Sequence, residues 1–150
     1  MRGFLCLMAA CVVAASIAGA ATAASGNGTM CVLHARLTAQ TAGTTSAAKG
    51  HTLIKVRNDG TIEFKTHILN RGGEAFSAGH IHQAPVGANG PIVVPLFGGP
   101  NTTARHIKAS GTAAPNAGTT GANLCQNPGA YYVNYHTTAF PAGAIRGQLH

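Results

Sequence analysis

The sequence is poor in acidic residues and contains no tryptophan. Its 150 residues include three Asp and Glu against ten Lys and Arg, and only 9% of all residues are charged. So few carboxylates exclude a hydrolase of the paired-acid type, which needs two of them at one site. They also exclude an all-oxygen cage for calcium or magnesium. Motifs for a phosphate-binding loop or a serine nucleophile elbow are absent from the sequence as well.

The excess of positive charge is spread along the chain. The formal net charge is +7, yet the sequence has no block of like charge and no basic stretch interleaved with aromatic residues. Domains that bind nucleic acid cluster their basic residues on one face or helix, so we expect no nucleic-acid partner. An acidic polysaccharide or an anionic cell surface remains open as a partner, and the sequence identifies no protein partner.

The beginning of the chain has the layout of a secretory signal. Arg2 supplies a positive charge, residues 4–18 are apolar apart from one serine, and small residues follow with an A-x-A arrangement at 21–23. This order is typical of a cleaved signal peptide. We therefore expect a signal peptide at 1–24 and one exported domain at 25–150, secreted or periplasmic and without a membrane span after cleavage. An uncleaved anchor is the alternative.

Two of the four cysteines fall within the expected signal, which leaves Cys31 and Cys125 in the exported part. Nothing keeps thiols reduced outside the cytoplasm, so a pair of cysteines in an exported domain is predicted to form a disulfide. Two separate thiols, or thiolates on a metal, are the alternatives.

Short runs of alternating polar and apolar residues, separated by turn residues, predict an all-β domain. The clearest run is 51–69, where Asn58-Asp59-Gly60 forms the turn of a hairpin. We predict a polar loop or an irregular edge at 39–50, a loop at 115–129, and no helix after the signal. The pattern as a whole predicts an antiparallel, Greek-key-like β-sandwich. The other candidate strands are 30–38, 79–83, 91–97, 104–113, 130–138 and 143–150.

The segment His80-Ile81-His82 carries the strongest chemical signal. Alternate residues of a strand point to the same side, so both imidazoles face outward if Ile81 enters the core. The same alternation places His136 and His67 on the outer sides of their own strands. Imidazole is a good ligand for copper and zinc. These four histidines are therefore candidate metal ligands, provided that their strands are neighbours.

A structural use of the same histidines is the alternative. Outward histidines on strands are often solvated, and others satisfy main-chain carbonyls. In that case the His-x-His pair is a hydrogen-bonded support for the Gly- and Pro-rich loop that follows it, in a structural or adhesive module. Protonation of these rings near pH 6 would then tune an interface.

Two longer motifs resemble a known family. They are H-I-H with P-V-G-A-N-G-P-I-V, from His80 to Val93, and G-A-Y-Y-V-N-Y-H-T with P-A-G-A-I-R-G-Q-L, from Gly129 to Leu149. Both resemble the CHRD domain, a module first named in chordin and also found in exported bacterial proteins. The resemblance covers residues 31–150. It implies a β-sandwich in an extracellular or periplasmic setting, without a settled activity. The family's Leu-x-Gly-x-x-Glu-Val-Pro opening is missing, and 115–125 resembles an insertion.

A more distant likeness is to the copper–zinc superoxide dismutases. Those Greek-key sandwiches carry a His-x-His pair on one strand and a further copper-ligating histidine on a late strand. The likeness implies copper or zinc as the cofactor of His80, His82 and His136. The zinc loop of the dismutases has no counterpart here, so we expect a binding module rather than an enzyme.

Overall fold

The structure is a computed structural model that describes residues 28–150. The expected signal peptide at 1–24, and the start of the expected domain, lie outside the described residues. Within them, no helix is long and apolar enough to cross a membrane. The prediction of an all-β domain is confirmed. The strands are β1 (Thr29–Thr38), β2 (Lys49–Arg57), β3 (Ile62–Leu69), β4 (Phe76–Gln83), β5 (Ile92–Thr102), β6 (His106–Ala113), β7 (Tyr131–Thr137) and β8 (Ile145–Gln148).

All eight strands belong to one antiparallel sheet, in the order β5-β4-β7-β8-β1-β2-β3-β6. The sheet curls until its edge strands β5 and β6 approach each other. Its two halves, which we call arms, therefore face each other across the core, as in a sandwich. One arm consists of β5, β4, β7 and β8, and the other of β1, β2, β3 and β6. The chain after β6 reinforces this closure, because the backbone N–H of Asn116 donates to Val93 O at 2.8 Å. Neither edge is therefore left as a long open template for pairing.

The predicted hairpin joins β2 and β3. Val56 pairs with Ile62 next to the turn, and Gly60 has a φ of 84°, a left-handed conformation that glycine adopts without strain. The Asp59 carboxylate accepts the backbone N–H of Thr61 at 2.9 Å and fixes the turn. The buried side chains alternate with the charged ones, as predicted, and the charged positions face outward together with Leu53 and Leu69. The apolar residues that enter the core are Ile54, Val56, Ile62, Phe64 and Ile68.

The core lies between the two arms of the sheet and draws on every strand. Ile81 and Tyr135 are fully buried on the adjacent strands β4 and β7. The Tyr135 hydroxyl donates to Thr66 Oγ1 at 2.8 Å, so its polar atom has a partner inside the core. Burial raises the pKa of Tyr135 to about 12. The inward direction of Ile81 decides which way the histidines beside it point.

Two short helices occupy parts of the segments predicted as loops, so the prediction of no helix was wrong there. Helix α1 (Ala39–Ala42) begins after Thr38, whose side chain accepts the N–H of Thr41. Helix α2 (Gly121–Gln126) begins after Thr120, which forms a reciprocal capping box with Asn123. Helices of four and six residues are too short to show the periodic apolar pattern on which a helix prediction depends.

The predicted disulfide between Cys31 and Cys125 is present in the structure. It joins β1 to α2, with the two Cα atoms 5.9 Å apart and a sequence separation of 94. The bond therefore fastens the long connection between β6 and β7 to the sheet.

Candidate metal centre

Three histidines converge on the outer side of β4 and β7, which are adjacent antiparallel strands. Ile81 is 0% exposed in the core, which turns His80 and His82 to the opposite side of β4. His136 lies on the same side of β7. One ring nitrogen from each of these histidines lies within 4.8 Å of the other two. The structure thus brings together three of the four predicted ligands.

The closest contact in the group is between His80 Nδ1 and His136 Nε2, which are 3.2 Å apart. Two nitrogens bound to one tetrahedral ion at ~2.0–2.1 Å lie ~3.3 Å from each other. This pair therefore already has the separation that a shared ion requires. The ring centroid of His82 is 5.8 Å from that of each partner, so the third ring flanks the pair.

Main-chain oxygens fix the orientation of two of the rings. His82 Nδ1 lies 2.9 Å from Gly90 O, and His136 Nδ1 lies 3.0 Å from Pro141 O. A carbonyl oxygen only accepts, so each Nδ1 carries the hydrogen and each Nε2 presents a lone pair in the neutral ring. A second nitrogen that donates to a carbonyl is the usual arrangement of a metal-bound histidine.

The remaining nitrogens form a consistent donor set. His82 Nε2 is buried and has no hydrogen-bond partner among the described residues. His136 Nε2 faces His80 Nδ1. The three atoms that can share an ion are therefore His80 Nδ1, His82 Nε2 and His136 Nε2. A buried nitrogen without a partner is costly, and an ion at this position would give it one.

The surroundings of these rings disfavour their protonated forms. Burial, followed by the proximity of His136 and His82, lowers the pKa of His80 from 6.5 to about 4. Burial also lowers the pKa of His82, although its hydrogen bond to Gly90 acts in the opposite direction. Only a neutral imidazole binds a metal ion. At neutral pH, protons therefore do not compete for these two rings.

The lowered pKa of His80 predicts a fold that is sensitive to acid. In the unfolded chain a histidine takes up its proton near pH 6.5, whereas folded His80 takes it up only near pH 4. Its contribution to stability is thus present above pH 6.5 and is lost as the pH falls through 4. Urea unfolding of metal-free protein at about pH 7 and about pH 4.5 measures this effect. Between the two pH values, the free energy of unfolding should fall more for the wild type than for His80→Ala. Equal losses would contradict a neutral His80.

The loop between β4 and β5 folds back over the outer face of the sheet. It leaves His82 only 8% exposed, so this ring faces away from the core but not into open solvent. Gly90 holds the loop in place through both of its main-chain polar groups. Its carbonyl accepts from His82, and its N–H donates to the Tyr132 hydroxyl at 3.3 Å. The Tyr132 ring stacks on His82, with centroids 5.0 Å apart and planes 12° apart.

Arg146 on β8 fastens the middle of the same loop. Its two terminal nitrogens donate to Asn89 Oδ1 at 3.0 Å and to Ala88 O at 2.8 Å. Its guanidinium carbon lies 3.8 Å from the centre of the Tyr132 ring. Both side chains, Tyr132 and Arg146, support the site although they stand more than 40 positions away from the loop in sequence. The sequence pattern identified neither of them as part of it.

Gly90 is required by the close approach of the loop to β4. A Cβ atom at this position would lie 1.8 Å from Gln83 O. We expect Gly90→Ala to displace the loop, break its hydrogen bond with His82, and destabilise the fold by about 1–3 kcal/mol. Gly98→Ala is the matched control, because a Cβ there meets nothing within 4 Å. Equal unfolding midpoints for the two variants would show that the loop is not packed in this way.

His67, the fourth predicted ligand, does not belong to the group. Strand β3 lies between β2 and β6, on the other arm of the sheet from β4 and β7. The ring of His67 instead lies 5.7 Å from that of His106 and 5.9 Å from that of His51. Strand alternation correctly predicted that His67 faces outward, but it holds no information on which strands are neighbours.

One known protein family matches a region that includes parts of every strand of the sheet. The family model described as CHRD domain matches residues 33–149, which include parts of all eight strands and the three convergent histidines. No curated protein and no solved structure matches the chain, so the likeness to the copper–zinc dismutases stays a prediction. The extent of the family match, together with the all-β fold, shows that this chain belongs to the CHRD domain family.

Proposed function

We propose that this protein is an exported CHRD module that binds one copper or zinc ion through His80, His82 and His136. The observation that supports this most strongly is the convergence of one nitrogen from each ring within 4.8 Å. Two of the rings are already oriented by main-chain oxygens. Binding therefore costs little ordering of side chains, and preorganisation of this kind favours affinity.

The chemistry of the donor set favours these two ions. Three neutral imidazoles suit copper and zinc, whereas calcium and magnesium prefer oxygen ligands. The group of ligands contains no carboxylate, so the bound ion would keep its positive charge. Copper(II) forms tighter complexes than zinc with nitrogen donors in general. We therefore expect copper to bind more tightly than zinc.

The proposed location is outside the cytoplasm. The Cys31–Cys125 disulfide supports it, because such bonds persist in oxidising compartments and are rare in reducing ones. Secretion and retention in a periplasm are both compatible with a disulfide.

Titration calorimetry of metal-free protein with Cu(II) and with Zn(II) tests this function. We expect about one ion per chain. A variant that carries His51→Ala, His67→Ala and His106→Ala is the matched control, because it removes three outward imidazoles from the other arm of the sheet. It should keep the wild-type stoichiometry. Failure of the wild type to take up either ion, or loss of binding in the control, would contradict the proposal.

A structural role for the same histidines is the second candidate. It is favoured by the hydrogen bonds from His82 to Gly90 and from His136 to Pro141, which hold two surface loops. His80 separates the two candidates, because its ring makes no hydrogen bond to the main chain among the described residues and contacts His136 instead.

A further inference from the structure

A surface rich in basic residues and histidines lies on the other arm, on the outer side of β1, β2, β3 and β6. The strand register pairs Arg36 with His51, His51 with His67, and His67 with Lys108. These four residues form a row across four strands, and we call it the cationic row. Neighbouring strands are ~4.8 Å apart, so the row is about 15 Å long.

Two lysines flank the cationic row on opposite sides. Lys49 precedes His51 by two positions on β2, and Lys65 precedes His67 by two positions on β3, so all four share the outer side. The rings of His51 and His67 form a ridge between two shallow depressions. Lys49 lines the first of these, and Lys65 lines the second together with Lys108 at the end of the row.

The positive charges of this surface have no acidic partners. Arg36, Lys49, Lys65 and Lys108 are exposed, and within residues 28–150 none of them forms an ion pair. Among the residues that the structure describes, the one Asp or Glu side chain on the outer side of these strands is Glu63, near the hairpin turn. It accepts from Arg57 Nε at 2.6 Å and lies 3.9 Å from Lys55. Uncompensated like charges repel each other, so a ligand of opposite charge would be attracted strongly.

The middle of the row contains two imidazoles that differ in accessibility. His67 Nε2 is buried beneath its neighbours and has no hydrogen-bond partner among the described residues. A ligand on the surface cannot reach this nitrogen. The neighbouring His51 is exposed, and a hydroxyl group of a ligand that lies across the row could pair with its imidazole. The row thus combines charge at its ends with hydrogen-bonding capacity at its centre.

We propose that the cationic row binds an acidic polysaccharide, a chain of carboxylated or sulfated sugars that lies across the four strands. Its negative charges would face Arg36 and Lys108, and a hydroxyl would face the exposed imidazole of His51. The row contains no phenylalanine, tyrosine or tryptophan, so it lacks the large stacking platform that single-stranded nucleic acid prefers. It also contains none of the large exposed apolar side chains of the described residues, so it has nothing to insert into a membrane.

Binding of metal-free protein to heparin and to polygalacturonate tests this proposal independently of the metal centre. The variant Arg36→Gln with Lys108→Gln should bind about tenfold more weakly at about 0.1 M salt, since it loses two exposed ion pairs. Arg71→Gln with Arg105→Gln is the matched control, because it removes the same charge from exposed positions outside the strands. The control should bind within about twofold of the wild type.

If the variant of the row and the control variant lose polysaccharide affinity equally, the proposal is overturned, because binding would then depend on net charge alone. Failure of the wild type to bind either polysaccharide would overturn it as well. Phosphatidylserine vesicles and single-stranded DNA are assayed in parallel, and tighter binding of either one would assign the row to that ligand instead. Should the first variant fail to fold by circular dichroism, Lys49→Gln with Lys65→Gln provides the same comparison.

Discussion

Replacing His80 by alanine is expected to abolish tight copper binding while the fold persists. His80 supplies one of the three convergent nitrogens, 3.2 Å from His136 Nε2, yet it ties no loop to the sheet. The loss of one ligand in three should weaken the affinity at least about 100-fold, because removing even a supporting residue around a metal costs about 10- to 100-fold. Competition with a chromophoric chelator measures the change directly.

His51→Ala is the control for this experiment, because it removes an imidazole from a comparable outward strand position on the other arm. Its copper affinity should stay within about twofold of the wild type. The structural alternative makes a different prediction. It predicts that His82→Ala destabilises the fold, because this change breaks the hydrogen bond to Gly90. It also predicts that His80→Ala leaves stability and copper binding unchanged. Copper binding that survives His80→Ala undiminished would contradict the proposed ligand set.

Removal of the disulfide is expected to have the largest effect on stability. A bond that spans 94 residues restricts the unfolded chain strongly, and losing such a bond typically costs about 2–5 kcal/mol. We expect Cys31→Ala with Cys125→Ala to lower the free energy of unfolding in urea by this amount. Since the bond joins β1 to α2 and no metal ligand lies on either element, copper affinity should not change.

Reduction of the wild type provides the control for the disulfide variant. A thiol reductant should lower the stability of the wild type to that of the variant and leave the variant unchanged. If reduction destabilises both proteins equally, the effect does not come from the Cys31–Cys125 bond. A variant as stable as the oxidised wild type would also contradict the expected contribution.

The features that the sequence predicted correctly are local. The β2–β3 hairpin follows from the turn at Asn58-Asp59-Gly60, and the directions of His80, His82 and Ile81 follow from the two-residue period of a strand. Both depend on residues that are close in the chain. Shifting the strand assignment by one position would have turned the two histidines into the core. The structure confirms the predicted directions of these side chains.

The features that the sequence could not predict depend on strand order. Strand alternation treats His67 and His136 alike, but β7 lies next to β4 and β3 does not. The cationic row has the same origin, because Arg36 and Lys108 are isolated charges in sequence and become neighbours of the central histidines only through the register of four strands. Arg146 likewise reaches the β4–β5 loop only because β8 pairs with β7.

The short helices show a second reason why sequence-based prediction was incomplete. Thr120 and Asn123 contain the signal for the start of α2, but a helix of six residues offers no apolar periodicity to support that signal. The disulfide compensates for the weak local preference, since it fastens α2 to β1. Tertiary contacts, namely the disulfide and the burial of Leu124 in the core, hold this segment in place.

A crystal structure of the protein loaded with copper, with the ion located by its anomalous scattering, tests the central claim most directly. We expect one ion at ~2.0–2.1 Å from His80 Nδ1, His82 Nε2 and His136 Nε2, with the hydrogen bonds to Gly90 and Pro141 retained. An ion held instead by His51, His67 or His106, or no ordered ion beside β4 and β7, would contradict it.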